Sequence, residues 1–201
     1  VASESVSGNL FKNCAALIAD IPERDSDISL ADTVFSVLDT FKTMIEEVAK
    51  ANDFTKPFTY VIFHTPSQTD QVLEVIKLAG RMKPVTYTWI KTHNRGNLLT
   101  PQDRYQLFTV AMSVDPGSTF DFVLREKTNV MMAQDITDRN KLVDSNGSIV
   151  CKDQRPLLLM SWIIKTFVDG SDKSRAIIDA YSGTATTSLA AATCGFNSFA
   201  F

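Results

Sequence analysis

The sequence predicts an α/β fold with a mostly parallel twisted sheet, helices on both of its faces and an antiparallel hairpin at one edge. Three observations predict it. Short runs of β-branched and aromatic residues alternate with segments in which apolar residues recur at helical spacing. The strand-like runs Phe58 to Phe63 and Val85 to Ile90 enclose a helical segment, the crossover that parallel strands require. The turn residues Asp115-Pro116-Gly117-Ser118 separate two further runs, Gln106 to Ser113 and Phe120 to Arg125, as in a hairpin. With 201 residues, 44% hydrophobic and 21% charged, the chain can bury a core of its own. It lacks repeats and linker-like composition, so it reads as one domain over residues 1–201.

Taken in order, residues 1–54 are a helical and strand-bearing part. Its helix runs from Leu30 to Asn52, with Ala31, Val34, Leu38, Phe41, Ile45 and Val48 near helical spacing and Ser29 or Asp32 as cap. Phe58 to Phe63 (FTYVIF) is a buried strand that stops at His64-Thr65-Pro66-Ser67. A helix over Thr69 to Gly80 places Val72, Val75, Ile76 and Ala79 on one face, and Gly80 with Arg81 and Lys83 marks its end. Val85 to Ile90 is the next strand, followed by a polar loop from Lys91 to Asp103, the hairpin, and a short strand over Asn129 to Ala133. Gln134 to Gln154 is polar and irregular. Pro156 suits the first turn of a strongly apolar helix that ends before Gly170. Arg175 to Tyr181 is a strand, Ser182 to Thr186 a turn of small residues, Thr187 to Cys194 a helix stopped by Gly195, and Phe196 to Phe201 the start of another strand.

Composition excludes several function classes. Twenty basic against 23 acidic residues leave a net charge of −3, so contact with nucleic acid or an anionic membrane would have to be local. The longest apolar stretch, Pro156 to Val168, is interrupted by Ser161 and Lys165 and is too short to span a bilayer. Cys14, Cys151 and Cys194 lack close spacing, and His64 and His93 are the only histidines, so neither a disulfide framework nor a metal site is expected. A reducing, intracellular compartment follows. The chain starts with Val and no leader pattern follows it, so an excerpt of a longer protein or a trimmed chain is expected. Lys91, His93, Arg95 and Arg104 could contact phosphates, but Asp103 and the acidic balance favour a solvated loop. Trp89 and Trp162 belong to strand and helix patterns and read as core.

The last thirty residues hold the strongest local signal. In AIIDAYSGTATTSLAAATCG, a glycine-bearing turn joins a buried strand to a helix whose first N–H groups are free to meet a ligand. Strand-turn-helix units of this kind are common to doubly wound folds. This one resembles motif I of the permuted DNA amino-methyltransferases that make N6-methyladenine or N4-methylcytosine, of the form D-P-F-x-G-S-G-T-T with A-A and a later G. Asp179, Tyr181, Gly183, Thr186, Thr187, Ala190, Ala191 and Gly195 fall in register; Ala180, Thr184 and Ala185 replace the proline, the serine and the second glycine. Arg155-Pro156 stands where the family has Lys-Pro or Arg-Pro before motif I. The segment from the strand YVIF through Lys83-Pro84 to VTYTWIK follows the order of its catalytic half. The likeness covers roughly residues 55–201, with a catalytic half over 55–133 and a motif I half over 155–201.

The resemblance implies a Rossmann-like methyltransferase fold in permuted order and S-adenosylmethionine as cofactor, held by Asp179, Tyr181, Gly183, Thr184 and Thr186. It also implies a catalytic tetrapeptide of Asp, Asn or Ser, then Pro-Pro, then an aromatic. Its first side chain accepts hydrogen bonds from the target amino group and its aromatic stacks on the extruded base. That full pattern occurs nowhere in the chain. At the aligned position stand His64, Thr65, Pro66 and Ser67, of which only Pro66 matches. Catalysis by the family route is therefore expected to be lost. No acid stands in Phe196 to Phe201 to hold the cofactor ribose, which fits either a sequence that continues past Phe201 or a degenerate site. The resulting expectation is a catalytically degenerate relative serving as a structural or nucleic-acid-positioning subunit of a larger complex. Its protein partner would meet the hairpin or the strand bearing Met131 and Met132. The alternatives are an active S-adenosylmethionine-dependent methyltransferase, unrelated chemistry with His64 as general base, and an α/β binding module of another class.

Overall fold

The computed structural model describes residues 11, 13–21, 32–51, 56–78, 84–91, 105–113, 129–134, 136, 140–151 and 154–200. They form β1 (Cys14–Asp20), α1 (Asp32–Ala51), β2 (Thr59–His64), α2 (Thr69–Leu78), β3 (Val85–Lys91), β4 (Tyr105–Met112), β5 (Val130–Ala133), α3 (Leu157–Phe167), β6 (Ala176–Ala180), α4 (Thr186–Thr193) and β7 (Asn197–Ala200). A 3-10 turn, Pro66–Gln68, leads into α2. The strands make one sheet in the order β5-β3-β4-β2-β1-β6-β7. Neighbours are parallel except where β4 pairs antiparallel with β2 and β3.

β2 is β-branched and aromatic and buried at all its positions, as a strand covered on both faces must be. β1 has a different character. Ala15, Ala16 and Ala19 have little intrinsic preference for extended backbone; β1 is a strand because it lies between β2 and β6, where its small side chains fit under helices on both faces. On one face, Phe41, Ile45 and Val48 of α1 and Val72 and Ile76 of α2 join a core with Leu17, Tyr60, Ile62 and Ile178. On the other, Leu159, Ile163 and Phe167 of α3 and Ala190 of α4 join Ile18, Val61, Phe63, Trp89 and Phe108. Each large side chain buried this way contributes about 1.5–3 kcal/mol. The amino ends of the central strands are tied by Arg175, which donates to the carbonyls of Pro57 and Cys14. Thr59 Oγ1 donates to the Phe167 carbonyl and fixes the end of α3.

The antiparallel strand expected at a sheet edge lies inside the sheet. Residues 105–112 pair on both sides, with Val110 opposite Val61 on one and Val85 on the other, because their apolar character needs burial on both faces. The expected second arm, Phe120 to Arg125, lies outside the described residues, as do the Asp115 to Ser118 turn, Ser29, Gly80, Arg81, Lys83, His93, Arg95 and Arg104. Paired on both sides, the first arm offers a partner no free strand edge. β5 is an edge strand, with Met132 69% exposed and Met131 packed against the core. Trp89 is buried and Trp162 packs against the same core. Among the described residues no helix is long and apolar enough to cross a membrane, and no group of three or more metal-ligating side chains converges.

Candidate functional site

The chain leaves β1 toward β2 on one side and leaves β6 toward β7 on the other, so the strand order reverses between β1 and β6. At such a reversal the connections splay apart and open a crevice at the carboxyl ends of the strands. A cavity of about 530 Å³ lies there, lined among others by Asp20, Asp179, Gly183, Thr184, His64, Gln106 and Arg155. Its size is that of a small-molecule site.

Asp179 is the penultimate residue of β6 and is buried. The backbone N–H of Ser188 and its hydroxyl donate to Asp179 Oδ2 at 3.2 and 3.0 Å, so the carboxylate also caps the first turn of α4. Burial pushes the Asp179 carboxyl above its ordinary value, the hydrogen bonds from Ser188 and Thr187 oppose this, and the charge of Asp20 adds to the rise. The turn from β6 to α4 holds Tyr181, Gly183 and Ala185 at φ 63, 49 and 55. For the two residues with a Cβ this conformation costs about 1–2 kcal/mol each. Gly183 is free of that cost; a Cβ on it would meet Cys151 Sγ at 3.8 Å and the Tyr181 carbonyl at 3.9 Å, ordinary contact distances, so the positive φ is what favours glycine there. Thr184 and Thr186 hydroxyls lie 2.9 Å apart at the same turn. Asp179, Tyr181, Gly183, Thr184 and Thr186 are thus brought together on one wall of the cavity.

Asp20 ends β1, the strand that pairs with β6 on its inner side. Arg155 Nη2 reaches both of its carboxylate oxygens at 2.7 Å, and the guanidinium lies over the Phe63 ring, 5.3 Å from its centre. Side chains of this pair are mostly shielded from water, which strengthens the attraction relative to a surface pair.

His64 ends β2, with β1 standing between it and β6. Its Nδ1 is 2.9 Å from the Thr65 carbonyl, which only accepts, so Nδ1 carries the proton and Nε2 accepts from the Thr109 hydroxyl at 2.9 Å. Thr86 Oγ1 lies 3.0 Å behind Thr109 Oγ1 and donates to it, which completes a chain across β3, β4 and β2. Burial lowers the His64 pKa. Thr65, Pro66 and Ser67 form the entry to α2: the Thr65 backbone N–H and hydroxyl donate to Gln68 Oε1, and the Thr65 and Ser67 hydroxyls lie 2.9 Å apart. His64, Thr65 and Pro66 border the cavity; Ser67 does not.

No family model and no curated protein matches the sequence. Solved structures do. The M1.HpyAVI–SAM complex superposes with a TM-score of 0.66 over 100% of this chain and 89% of that one, at 16% identity. The PvuII DNA methyltransferase, described as cytosine-N4-specific, gives 0.68 over 94% and 75%, at 12% identity. A putative DNA modification methylase from Thermus thermophilus, complexed with S-adenosyl-L-methionine, gives 0.55 over 96% and 85%, at 12% identity. The chain has the fold of a DNA methyltransferase.

Asp20, which ends β1 and lines the cavity, is not among the residues that the sequence reading singles out. It opens Asp20-Ile21-Pro22-Glu23, which keeps the acid first and a proline third of the amino-methyltransferase tetrapeptide and lacks the second proline and the aromatic. Pro22 and Glu23 lie outside the described residues. A search for the complete pattern passes over this segment. A search for an acid followed two residues later by proline, at the end of an apolar run, finds it.

Proposed function

We propose that the chain binds S-adenosylmethionine at the β6–α4 turn and transfers its methyl group to an exocyclic amino group of a nucleic-acid base, with Asp20 receiving that amino group. One observation carries this: Asp20 and Asp179 end adjacent strands and line one cavity. The residues fit the cofactor, because the Asp179 carboxylate suits a ligand bearing a sulfonium and an ammonium charge and stands with Gly183 and Thr184 on the cavity wall. Asp179, Tyr181, Gly183, Thr184 and Thr186 would hold it. When bound, it supplies an electrophilic methyl group. The work of the chain is to position and desolvate the acceptor. The Asp20 carboxylate would accept an N–H of the amino group, turning the nitrogen lone pair toward the methyl, and would take that proton and pass it to water as the N–C bond forms. The ion pair with Arg155 orients Asp20. In this reading His64-Thr65-Pro66-Ser67 is a structural cap and His64 a sheet hydrogen-bond partner.

A second reading rests on a specific observation. Arg155 already occupies both oxygens of Asp20, and neither Glu23 nor Ser67 supplies a ring, as expected of a degenerate protein that binds cofactor or nucleic acid within a larger complex. Calorimetry with S-adenosylmethionine and a labelled-methyl assay on DNA and RNA separate the two. Turnover that falls at least about 100-fold in Asp20→Ala while cofactor affinity is kept supports the first reading. Cofactor binding with no turnover selects the second, and absence of both leaves an α/β binding module of another class.

A further inference from the structure

The cavity has a second end. β4 runs against β2 and β3, so its first residues come to the same rim of the sheet as the last residues of β3, with Ile90 opposite Tyr105 and Trp89 opposite Gln106. Tyr105, Gln106 and Lys91 line the cavity there, across the sheet from Asp179 and the β6–α4 turn. Their chemistry is complementary. Tyr105 is 50% exposed, a ring left at the cavity rim. Gln106 is 6% exposed, and its Oε1 has no hydrogen-bond donor among the described residues, a cost that a turn of the side chain toward a ligand N–H in the cavity would remove. Lys91 Nζ lies 5.4 Å from the centre of the Trp89 ring, a resting place that keeps the cation beside the other two.

Resting on the methyl-transfer reading above, we infer that Tyr105, Gln106 and Lys91 form the subsite for an unstacked amino-bearing nucleobase and its phosphate. Tyr105 supplies the stacking surface absent from Asp20-Ile21-Pro22-Glu23. A flat ring beside an amide recognises a base in two ways at once. The ring accepts any base face. In the orientation that the structure gives Gln106, the amide sets an acceptor and a donor against the amino N–H and ring nitrogen of adenine or cytosine, whereas an oxo base would require the amide to turn over. Lys91 adds a charge contact that positions without reading sequence.

The test is binding of single-stranded oligonucleotides, DNA and RNA in separate arms, without cofactor. Each carries a central 2-aminopurine, whose fluorescence is quenched on stacking, or adenine or hypoxanthine at that position. The wild type quenches the 2-aminopurine and prefers adenine to hypoxanthine. Tyr105→Ala loses the quenching and weakens binding about 5- to 100-fold, whereas Tyr105→Phe stays within about twofold. Gln106→Leu removes the preference for adenine, and Lys91→Ala lowers the salt dependence by about one phosphate contact. Cofactor affinity, measured separately, stays within about twofold of wild type in Tyr105→Ala, which also shows that the variant is folded. Failure of the wild type to bind, or equal binding and quenching by Tyr105→Ala, overturns the subsite. A wild type that binds and quenches but shows no affinity for S-adenosylmethionine overturns the methyl-transfer reading while the subsite stands. The arm with the tighter binding identifies the nucleic acid.

Discussion

The His64 imidazole is buried, with Nδ1 against the Thr65 carbonyl and Nε2 against the Thr109 hydroxyl. Burial disfavours the imidazolium more than the Thr65 carbonyl favours it, so the folded pKa lies below the ordinary 6.5. The unfolded chain therefore takes up a proton first as pH falls. The contribution of His64 to stability is full above pH 6.5 and is lost as pH descends toward the folded pKa. Urea titrations at successive pH values should show wild type losing stability between pH 7 and 5.5 more steeply than His64→Gln, by at most about 1.4 kcal/mol per pH unit. Parallel curves would refute this account. Tyr60 gives the opposite case. Its ring packs against Phe58, its hydroxyl is buried without a hydrogen-bond partner among the described residues, and burial drives its pKa well up. Tyr60→Phe keeps the ring and removes the unsatisfied group, so thermal unfolding should show a gain of about 1 kcal/mol; a loss would mean that the hydroxyl is satisfied.

The β6–α4 turn is the element in which local strain and ligand geometry meet. Ala185 holds φ 55 at the N-cap of α4, a position where the resembled motif has glycine. Ala185→Gly releases the Cβ clash and should stabilise the fold by about 1 kcal/mol in a urea melt, the strain relieved exceeding the added freedom of the unfolded chain. If the turn is also the cofactor cradle, the same change tightens S-adenosylmethionine binding; an effect on stability without one on affinity would confine the turn to a structural role. This unit was legible in the sequence because its signals are local: a buried apolar strand, small residues at the turn, alanines at helical spacing and Gly195 at the stop, with φ 82. β1 was not, since Ala15, Ala16 and Ala19 become a strand through tertiary burial. The sheet position of β4 was not legible either, because residues 105–112 read alike whether paired on one side or two, and pairing order is set by contacts far apart in the chain. Asp20 was hidden for both reasons: it ends the strand with the weakest local signal, and its role depends on which strand lies beside β6.

At the scale of the molecule, the reversal of strand order places two carboxylates at one crevice, and this sets apo stability against ligand binding. Asp179 is raised above its ordinary value of 3.8 mainly by burial, with Asp20 adding repulsion. Its ionised form is thus disfavoured by folding: the penalty is full above the folded pKa and vanishes below 3.8, so this group destabilises the empty protein at neutral pH. A cationic ligand reverses the sign by neutralising the pair. Thermal unfolding at neutral pH should therefore show Asp179→Asn, whose amide oxygen can still accept from Ser188, at least as stable as wild type when both are empty. S-adenosylmethionine at about 100 times its dissociation constant stabilises wild type by about 2.7 kcal/mol. For a chain of this size that is a rise of about 5–10 °C in Tm. The same concentration should move Asp179→Asn little, and the wild-type rise should shrink on acidification as Asp179 takes up its proton. An equal rise in both proteins would place the ligand elsewhere. Destabilisation of the empty variant would show instead that Asp179 serves mainly as the cap of α4, the carboxylate charge being needed by Ser188 rather than by a ligand.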